Sequence, residues 1–420
     1  MIALIEYEAP RQTVARGGDH KMRTGQTHLF IPGPTNVPER VRQAMNVPMQ
    51  DMRAPDFGAL TKPLFAGMKK VLKTADGAVF LFPGSGTGAW EAAITNTLSP
   101  GDKVLMGRFG QFSGLWVEMA RRLGLDVEVI DAEWGQGAPV AHIAERLEDD
   151  AHGAIRAVFV THNETATGVT SDIAAVRAAM DACGHDAMLF VDGVSSVASI
   201  DFRMDEWGVD LIVTGSQKGL MLPAGLGVLG VSQRALEASK TATMRRAYFE
   251  FADQIKFNGD GYFPYTPPTQ LLHGLSVSLK MLLEEEGLET VFARHARLAE
   301  GVRRGVKAWG LNICAHAGFE SNTVTTIMTP EGVDAVKVIG AAYARYATSF
   351  GSGLARLSGK AFRIGHLGDL NEAMCLTALS VAEMALRDNG AMVQPGSGVA
   401  AAAEYYREAL AATSARMAAA

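Results

Sequence analysis

The sequence contains few cysteines and no long apolar segment, and both facts restrict the class of protein. Its three cysteines, Cys183, Cys314 and Cys375, lie too far apart to form a CxxC metal or redox pair. We therefore expect a reducing, cytoplasmic location and no disulfide framework. A run of about 18 apolar residues, which a membrane-spanning helix needs, is missing, and so is the apolar core of a signal peptide.

The chain also lacks an excess of positive charge. Its formal net charge is -6 and its pI is near 6.0, which argues against nucleic acid or an anionic membrane as the main partner. With 48% hydrophobic and 20% charged residues, the composition is that of an ordinary soluble globular protein. A length of 420 residues favours one large domain and a smaller one.

Short apolar runs, rich in β-branched residues, recur through the middle of the chain. They span residues 78–82, 103–107, 127–130, 157–162, 188–193, 210–215 and 227–232. Helix-length patterns separate most of them, which predicts an α/β fold with a mostly parallel seven-stranded sheet covered by helices on both faces. The link between the last two runs is too short for a helical crossover, so the last strand is predicted to be antiparallel.

The pattern changes beyond about residue 270. A long helical stretch leads to the strand-like segments "NTVTTIMTP" and "AFRIGHLGD" and then to more helix. We therefore predict a smaller α+β domain packed on the first. The predicted division is an N-terminal extension (1–27), a large domain (28–270), a small domain (271–400) and a helical tail (401–420).

Ligands of such sheets bind at the carboxyl ends of the strands, so the residues that follow each strand indicate the site. After the first run comes "PGSGTG", where small residues and the hydroxyls of Ser85 and Thr87 precede a helix whose first N–H groups can hold an anion. An ordinary N-capped helix is the alternative. The segment also satisfies the loose G-x-G-x-x-G/A dinucleotide fingerprint, but the next strand does not end in the acidic residue that this fingerprint requires.

Two charged residues follow later strands. Asp192 ends an apolar run, where its alternative role is to cap the following turn, and a buried carboxylate there needs a cationic partner. Lys218 is the one charged residue between Asp210 and Arg234, among glycines, leucines and a proline. A surface lysine is the alternative, but a desolvated lysine has a depressed pKa and attacks carbonyls. An anion cradle, a carboxylate and such a lysine together indicate pyridoxal 5′-phosphate, PLP.

At this point the sequence resembles the class V aminotransferases of PLP fold type I, and among them the bacterial serine–glyoxylate and aspartate–glyoxylate enzymes. The resemblance covers about residues 27–400. It rests on several segments in the same order, namely "FIPGPTNVP", "FPGSGTGAWEAAITNTLSPGDKVL", "THNETATGV", "FVDGVSSVASIDFRMDEWGVDLIVTGSQKG", "YTPPT" and "FRIGHLG".

The resemblance implies a role for each candidate residue. Lys218 would link covalently to the cofactor aldehyde and act as the base at the substrate Cα, and Asp192 would pair with the ring nitrogen. The other residues implied to bind the cofactor are Ser85, Gly86, Thr87 and Gln217 at the phosphate, Phe112 stacked on the ring, and Thr165 near the ring oxygen. Thr266 would reach the phosphate of a neighbouring subunit, which implies a homodimer with shared sites. Arg363 would grip the substrate carboxylate, and Gly33 would approach the substrate.

The chain departs from the family pattern at two places. Relatives often carry a tyrosine three positions before the phosphate-binding threonine, where this chain has Phe263, so Tyr262 or Tyr265 would have to replace that hydroxyl. Many relatives carry His-Arg where this chain has Met52-Arg53, and the role of Arg53 is left open.

The resemblance implies ping-pong transamination of glyoxylate to glycine. L-Serine, which would give hydroxypyruvate, is the first choice of amino donor, and L-aspartate or alanine are the alternatives. A nicotinamide-dependent oxidoreductase would use "GSGTGA" but leaves Asp192 and Lys218 unexplained. A non-catalytic protein would be expected to have lost one of those two residues. A cysteine desulfurase would need a cysteine in a mobile loop, for which Cys314 is the one candidate.

Overall fold

The computed structural model describes residues 25–419, so most of the predicted N-terminal extension and residue 420 of the predicted tail lie outside the described residues. Its strands, in chain order from β1 to β13, are His28–Phe30, Ala78–Gly84, Lys103–Arg108, Asp126–Asp131, Ile155–Thr161, Asn163–Glu164, Val169–Thr170, Met188–Asp192, Leu211–Gly215, Gly225–Val231, Val324–Met328, Thr348–Ser352 and Ala361–Gly365.

Helices fill most of the connections between these strands. From α1 to α13 they are Glu39–Met45, Phe57–Leu72, Gly86–Thr97, Gln111–Arg122, Val140–Glu148, Ile173–Ala182, Gln233–Ser239, Phe251–Asn258, Thr269–Lys280, Leu288–Ala308, Ala335–Tyr346, Glu372–Asp388 and Ser397–Ala419. A π-helical turn, Met281–Glu285, joins α9 to α10. Between residues 25 and 419, none of the helices combines the length and the apolar character needed to cross a membrane.

Seven strands form the large sheet, in the order β2-β10-β9-β8-β5-β3-β4. They coincide with the seven apolar runs of the sequence, which confirms the predicted mostly parallel sheet. Strand β10 pairs antiparallel with both β2 and β9, as the short link before it predicted. The remaining strands are parallel, so the ends of β2, β3, β5, β8 and β9 meet at one edge.

Both faces of this sheet are buried, because successive side chains of one strand point to opposite faces. In β5, Val158 and Val160 enter one hydrophobic core, while Ala157 and Phe159 enter another. Helices cover both cores. The sheet is therefore covered on both faces, and its loop-bearing edge is left to carry the side chains of a site.

A second, four-stranded sheet has the order β1-β12-β13-β11. Strand β1 runs parallel to β12, so residues 28–30 join a sheet built otherwise from the C-terminal part of the chain. A third core, between this sheet and helices α10 to α13, includes Phe30, Phe350 and Phe362. The strand-like segments predicted near residues 322 and 361 are β11 and β13. The predicted domain boundary at residue 270 stays a prediction.

Candidate active site

A cavity of about 210 Å³ lies at the carboxyl edge of the large sheet. Its wall contains nine of the residues singled out from the sequence: Gly33, Ser85, Gly86, Thr87, Phe112, Thr165, Asp192, Gln217 and Lys218. They come from the loop after β1 and from the ends of β2, β3, β6, β8 and β9. The fold thus brings together residues that are up to 185 positions apart in the chain, from Gly33 to Lys218.

Lys218 lies in the turn that follows β9 and is 9% exposed, so it is not the surface lysine of the alternative interpretation. Its Nζ donates a hydrogen bond to the carbonyl of Pro32 at 2.5 Å. The loop after β1 also docks on the lysine turn, because the Thr35 hydroxyl donates to the Lys218 carbonyl at 3.2 Å. The amine is therefore held in a wall of backbone and apolar groups.

This environment changes the acid–base behaviour of the amine. Burial lowers the pKa of Lys218 to about 8, the positive charge of Arg363 acts in the same direction, and the carboxylate of Asp192 opposes both. A larger fraction of the amine is consequently neutral near pH 8 than for an ordinary lysine, whose pKa is about 10.4. A neutral amine is the form that attacks carbonyls and accepts protons.

Asp192 ends β8 and is 4% exposed. Its Oδ1 accepts the backbone N–H of Val194 at 2.9 Å, so the turn-capping role considered from the sequence is present. Burial raises the pKa of Asp192 to about 7, and the Val194 N–H works against that shift. A carboxylate on such a cavity wall is stabilised in its charged form when a positively charged ring N–H faces it.

The anion cradle lies where β2 meets α3. Ser85 occupies the N-cap position of α3, but its side chain makes no capping hydrogen bond, which argues against the simple N-capped helix. Gly86 is buried against Val194, and a Cβ at this position would overlap that side chain. The amide oxygen of Gln217 is buried without a hydrogen-bond partner. The first N–H groups of α3 and the Ser85 hydroxyl are donors that fit a bound phosphate, to which Gln217 can contribute only through its side-chain NH₂ group.

Phe112 and Thr165 face the same cavity. Phe112 is half-buried in the first turn of α4, where it lines the cavity and also packs on the second core, and its stacking on a cofactor ring stays a prediction. The Thr165 hydroxyl donates to Ser195 Oγ at 2.7 Å. Its carbonyl accepts a hydrogen bond from Nη1 of Arg363 at 3.0 Å.

Arg363 lies behind Thr165, on β13 of the second sheet, and is 7% exposed. Arg363 is therefore not a surface residue, because its strand is buried over its whole length. Nε donates to the carbonyl of Ser352 at 2.8 Å, which together with the Thr165 bond fixes the plane of the guanidinium. Burial lowers the pKa of Arg363 to about 10, and the charge of Glu164 opposes that shift.

Thr266 does not reach the cavity of its own chain. It is exposed in the loop before α9, which leaves its predicted contact with a second subunit untested. Phe263 is core, with its ring 5.8 Å from that of Phe65. Tyr262 donates to the carbonyl of Ala54, whereas Tyr265 is exposed, so Tyr265 is the better of the two candidate replacement hydroxyls.

Several residues of the site could not be recognised from the sequence. Trp90, Val194 and Ser195 line the cavity, and buried Glu164 lies beside it. Trp90 follows Gly86 by one helical turn, so its position on the same face of α3 could have indicated that it lines the site. No pattern in the sequence indicates Val194, Ser195 or Glu164, apart from their position next to residues already selected.

The position of Cys314 argues against the desulfurase alternative. Its backbone N–H donates to Thr326 of β11 at 2.8 Å, and burial raises the pKa of its thiol to about 11. A nucleophilic cysteine needs the opposite shift. The described residues also contain no group of histidine, cysteine and acidic side chains able to hold a metal ion.

Taken together, the cavity fits PLP. The start of α3 offers donors and space for a phosphate, Lys218 offers an amine for an aldehyde, and Asp192 offers a carboxylate for a ring nitrogen. The aromatic side chain of Phe112 lies in the same wall. All four chemical requirements are met by residues of one chain in one cavity.

Comparison with known proteins gives the same result. The family model "Aminotransferase class-V" matches residues 27–338. The chain is 61% identical to a serine–glyoxylate aminotransferase of Hyphomicrobium methylovorum, over 90% of this chain and 94% of that protein. It is 54% identical to an L-aspartate–glyoxylate aminotransferase of Paracoccus denitrificans, over 93% and 98% of the two chains.

A solved structure resembles the whole fold. The pyridoxamine–pyruvate aminotransferase of Mesorhizobium loti superposes with a TM-score of 0.85 at 29% identity, covering 91% of this chain and 98% of that one. The predicted fold type I is confirmed by this neighbour and by the seven-stranded sheet. The chain therefore belongs to the class V aminotransferases and is a PLP-dependent aminotransferase.

Proposed function

We propose that the protein transfers the amino group of L-serine to glyoxylate, giving hydroxypyruvate and glycine. Similarity supports glyoxylate as the acceptor, because relatives at 61% and 54% identity are both named as glyoxylate aminotransferases. They differ in the donor, serine in the first and aspartate in the second. The choice between these donors therefore needs an argument from the site itself.

One observation favours serine. In the part of the chain that the structure describes, the cavity wall contains a single cationic side chain, Lys218. Arg363 lies directly behind Thr165 and suits the α-carboxylate that every amino acid carries. Aspartate has a second carboxylate, which would be left without a fixed cation in this wall. Burying an unpaired carboxylate is costly, whereas a hydroxyl needs one hydrogen bond.

Each residue of the site then has a defined task. The phosphate is held by Ser85, Gly86, Thr87 and Gln217, and the cofactor ring packs against Phe112. Thr165 lies close to the ring oxygen, and Gly33 leaves room for the substrate. The sequence resemblance supports these roles, and so does the presence of these seven residues in one cavity wall.

When bound, the cofactor supplies an aldehyde for amines and a protonated ring that accepts electrons from the substrate Cα. Asp192 keeps the proton on the ring nitrogen, because a buried carboxylate gains most from a cationic partner. Lys218 Nζ removes the proton from Cα of the amino acid and returns one in the second half-reaction. Arg363 orients the α-carboxylate by two parallel hydrogen bonds, so that the Cα–H bond faces Lys218.

We further propose a cytoplasmic homodimer with shared sites. Near Thr266 the described surface carries large exposed side chains, with Tyr265 at 42% exposure stacked on Tyr248 and Met49 at 75% exposure. Apolar surface of this kind favours contact with another subunit. The three cysteines are free, which supports a reducing compartment.

Product analysis tests the donor. Glycine formed from glyoxylate is measured with serine, aspartate or alanine as donor, at equal concentrations and with saturating cofactor. We expect kcat/KM to be highest for serine, by about tenfold or more over aspartate, since one unpaired carboxylate costs at least about 1.4 kcal/mol. A higher kcat/KM for aspartate would replace serine by aspartate as the donor.

Hybrid dimers test the shared site. Lys218→Ala and Thr266→Ala subunits, each carrying a different affinity tag, are co-expressed and the mixed dimer is isolated. If Thr266 serves the partner subunit, one site of the hybrid regains both residues and turnover rises to about half of the wild-type value. A hybrid that stays as inactive as its parents would place Thr266 outside the partner's site.

A further inference from the structure

A buried carboxylate beside the cavity has no part in the chemistry above. Glu164 ends β6, directly before Thr165, and its side chain is fully buried. No positively charged group forms an ion pair with it within 4.0 Å among the residues that the structure describes. A charge in such a position is retained only where hydrogen bonds stabilise it.

Three backbone hydrogen bonds do so, a serine hydroxyl can add a fourth, and all of them are donated to the carboxylate. Oε1 accepts the backbone N–H groups of Phe112 at 3.2 Å and Ala166 at 3.1 Å. Oε2 accepts the backbone N–H of Ser113 at 2.9 Å and can accept its hydroxyl at 3.0 Å. Because the partners are donors, they favour the ionised form, in opposition to burial, which raises the pKa of Glu164.

Two of the three backbone donors, the N–H groups of Phe112 and Ser113, belong to the first turn of α4. The first N–H groups of a helix lack partners within the helix, and an N-cap side chain normally accepts one of them. The N-cap of α4 is Gly110, which has no side chain. A Cβ at Gly110 would overlap the Glu164 carboxyl group, so the glycine makes room for a cap supplied from another element.

The capped turn carries Phe112, and the residue after Glu164 is Thr165. The Thr165 carbonyl in turn holds Nη1 of Arg363 at 3.0 Å. Glu164 therefore contacts Phe112 directly and is joined by a peptide bond to Thr165. Through the Thr165 carbonyl it is also connected to the guanidinium of Arg363. Its negative charge also stabilises the charged form of Arg363.

We propose that Glu164 is a positioning residue, which fixes Phe112, Thr165 and Arg363 as one unit and so sets the orientation of the cofactor ring relative to the substrate carboxylate. This inference rests on the proposed function for the roles of those three residues. It does not depend on which amino acid is the donor.

The test is Glu164→Gln, which keeps the shape of the side chain. One carboxylate oxygen becomes an NH₂ group, which faces N–H or O–H donors and can accept none of their hydrogen bonds. The matched control is Asp210→Asn. Asp210 is also a buried carboxylate that accepts a backbone N–H, from Leu189 at 2.8 Å, and a serine hydroxyl, from Ser232 at 2.9 Å. It precedes β9, at the end of the sheet away from the cavity.

Four quantities are measured for both variants: the thermal midpoint, the PLP affinity of the cofactor-free protein, the visible circular dichroism of bound PLP, and KM and kcat for serine. Both variants are expected to lose thermal stability. Glu164→Gln alone should weaken PLP binding by about tenfold, reduce the visible circular dichroism and raise KM for serine, since a hydrogen bond to a charged group is lost.

Equal values of PLP affinity, circular dichroism and KM in the two variants would overturn the inference. If Glu164→Gln does not fold, Ser113→Ala takes its place, because it removes one donor from the same carboxylate. A twofold to threefold change in PLP affinity and in KM, in the same direction, is then expected. If neither quantity changes, the inference is overturned. PLP affinity and circular dichroism are read without any donor, so a preference for aspartate would overturn the proposed function and leave this result standing.

Discussion

Gly33 and Lys218 occupy adjoining space in the cavity wall: a Cβ at Gly33 would overlap Cδ, Cε and Nζ of Lys218. Gly33 also has a φ of +116°, a conformation that side chains other than glycine's rarely adopt. The same segment supplies the Pro32 carbonyl that holds Nζ. The position of the reactive amine is therefore set by a glycine far away in the sequence.

Gly33→Ala should displace the Lys218 side chain. We expect kcat to fall roughly 100-fold, because a shift of about 1 Å in a reacting group has an effect of that size. The control is Gly310→Ala, where φ is +72° and a Cβ would meet nothing within 4 Å. That variant shares the backbone strain and should keep its kcat. Equal kcat in both variants would show that Gly33 does not position Lys218.

Lys218→Ala should abolish turnover, because it removes both the amine that reacts with carbonyls and the base at Cα. A fall of at least about 1,000-fold in kcat is expected. Lys240→Ala is the control, since Lys240 is exposed and pairs with Glu237. Substantial residual transamination by Lys218→Ala would remove this lysine from the mechanism.

The reactivity of Lys218 should depend on pH in a predictable direction. Its pKa is lowered to about 8, so in the cofactor-free protein the neutral amine becomes the major form above that pH. Labelling by an amine-selective reagent, followed by peptide mass spectrometry, should reach half of its maximal rate near pH 8. A midpoint near the ordinary lysine value of about 10.4 would contradict the burial argument.

Asp192→Asn should move that midpoint downward. The negative charge of Asp192 raises the pKa of Lys218, and above about pH 7 most of the Asp192 carboxyl groups are ionised. Removing the charge leaves burial and Arg363 unopposed. An unchanged or higher midpoint in this variant would show that the two groups do not interact.

Arg363→Lys should raise KM for serine by about 10-fold to 100-fold, with a smaller effect on kcat. Lysine keeps the charge but cannot form two parallel hydrogen bonds to a carboxylate. Arg345→Lys, at an exposed arginine that pairs with Asp388, is the control and should leave KM unchanged. A normal KM in Arg363→Lys would place the substrate carboxylate elsewhere.

Much of the fold could be predicted from the sequence because the large sheet is buried on both faces. Its strands are therefore continuous apolar runs, such as residues 157–162, which stand out from amphipathic helices. Strands β1 and β12 could not be recognised in this way. The first has three residues, and the second reads "TSFGS", with glycine and serine inside.

The site was predictable where chemistry and strand ends coincide. Asp192 and Lys218 combine an unusual side chain with a position after an apolar strand. Glu164 could not be recognised, because its function depends on the first turn of α4, 51 residues earlier in the chain. The glycine-rich segment after β2 was ambiguous, since a dinucleotide loop and a phosphate cradle use the same residues; family membership excludes the oxidoreductase.

The most direct test is the visible absorption band of the PLP-loaded enzyme, titrated separately with L-serine and with L-aspartate in the absence of any keto acid. Serine should bleach the band at lower concentration and to a greater extent than aspartate, because residues 25–419 place no second cation in the cavity wall for a side-chain carboxylate. Bleaching mainly by aspartate would contradict serine as the donor. No visible band after addition of PLP would contradict the role of Lys218 and the cofactor site as a whole.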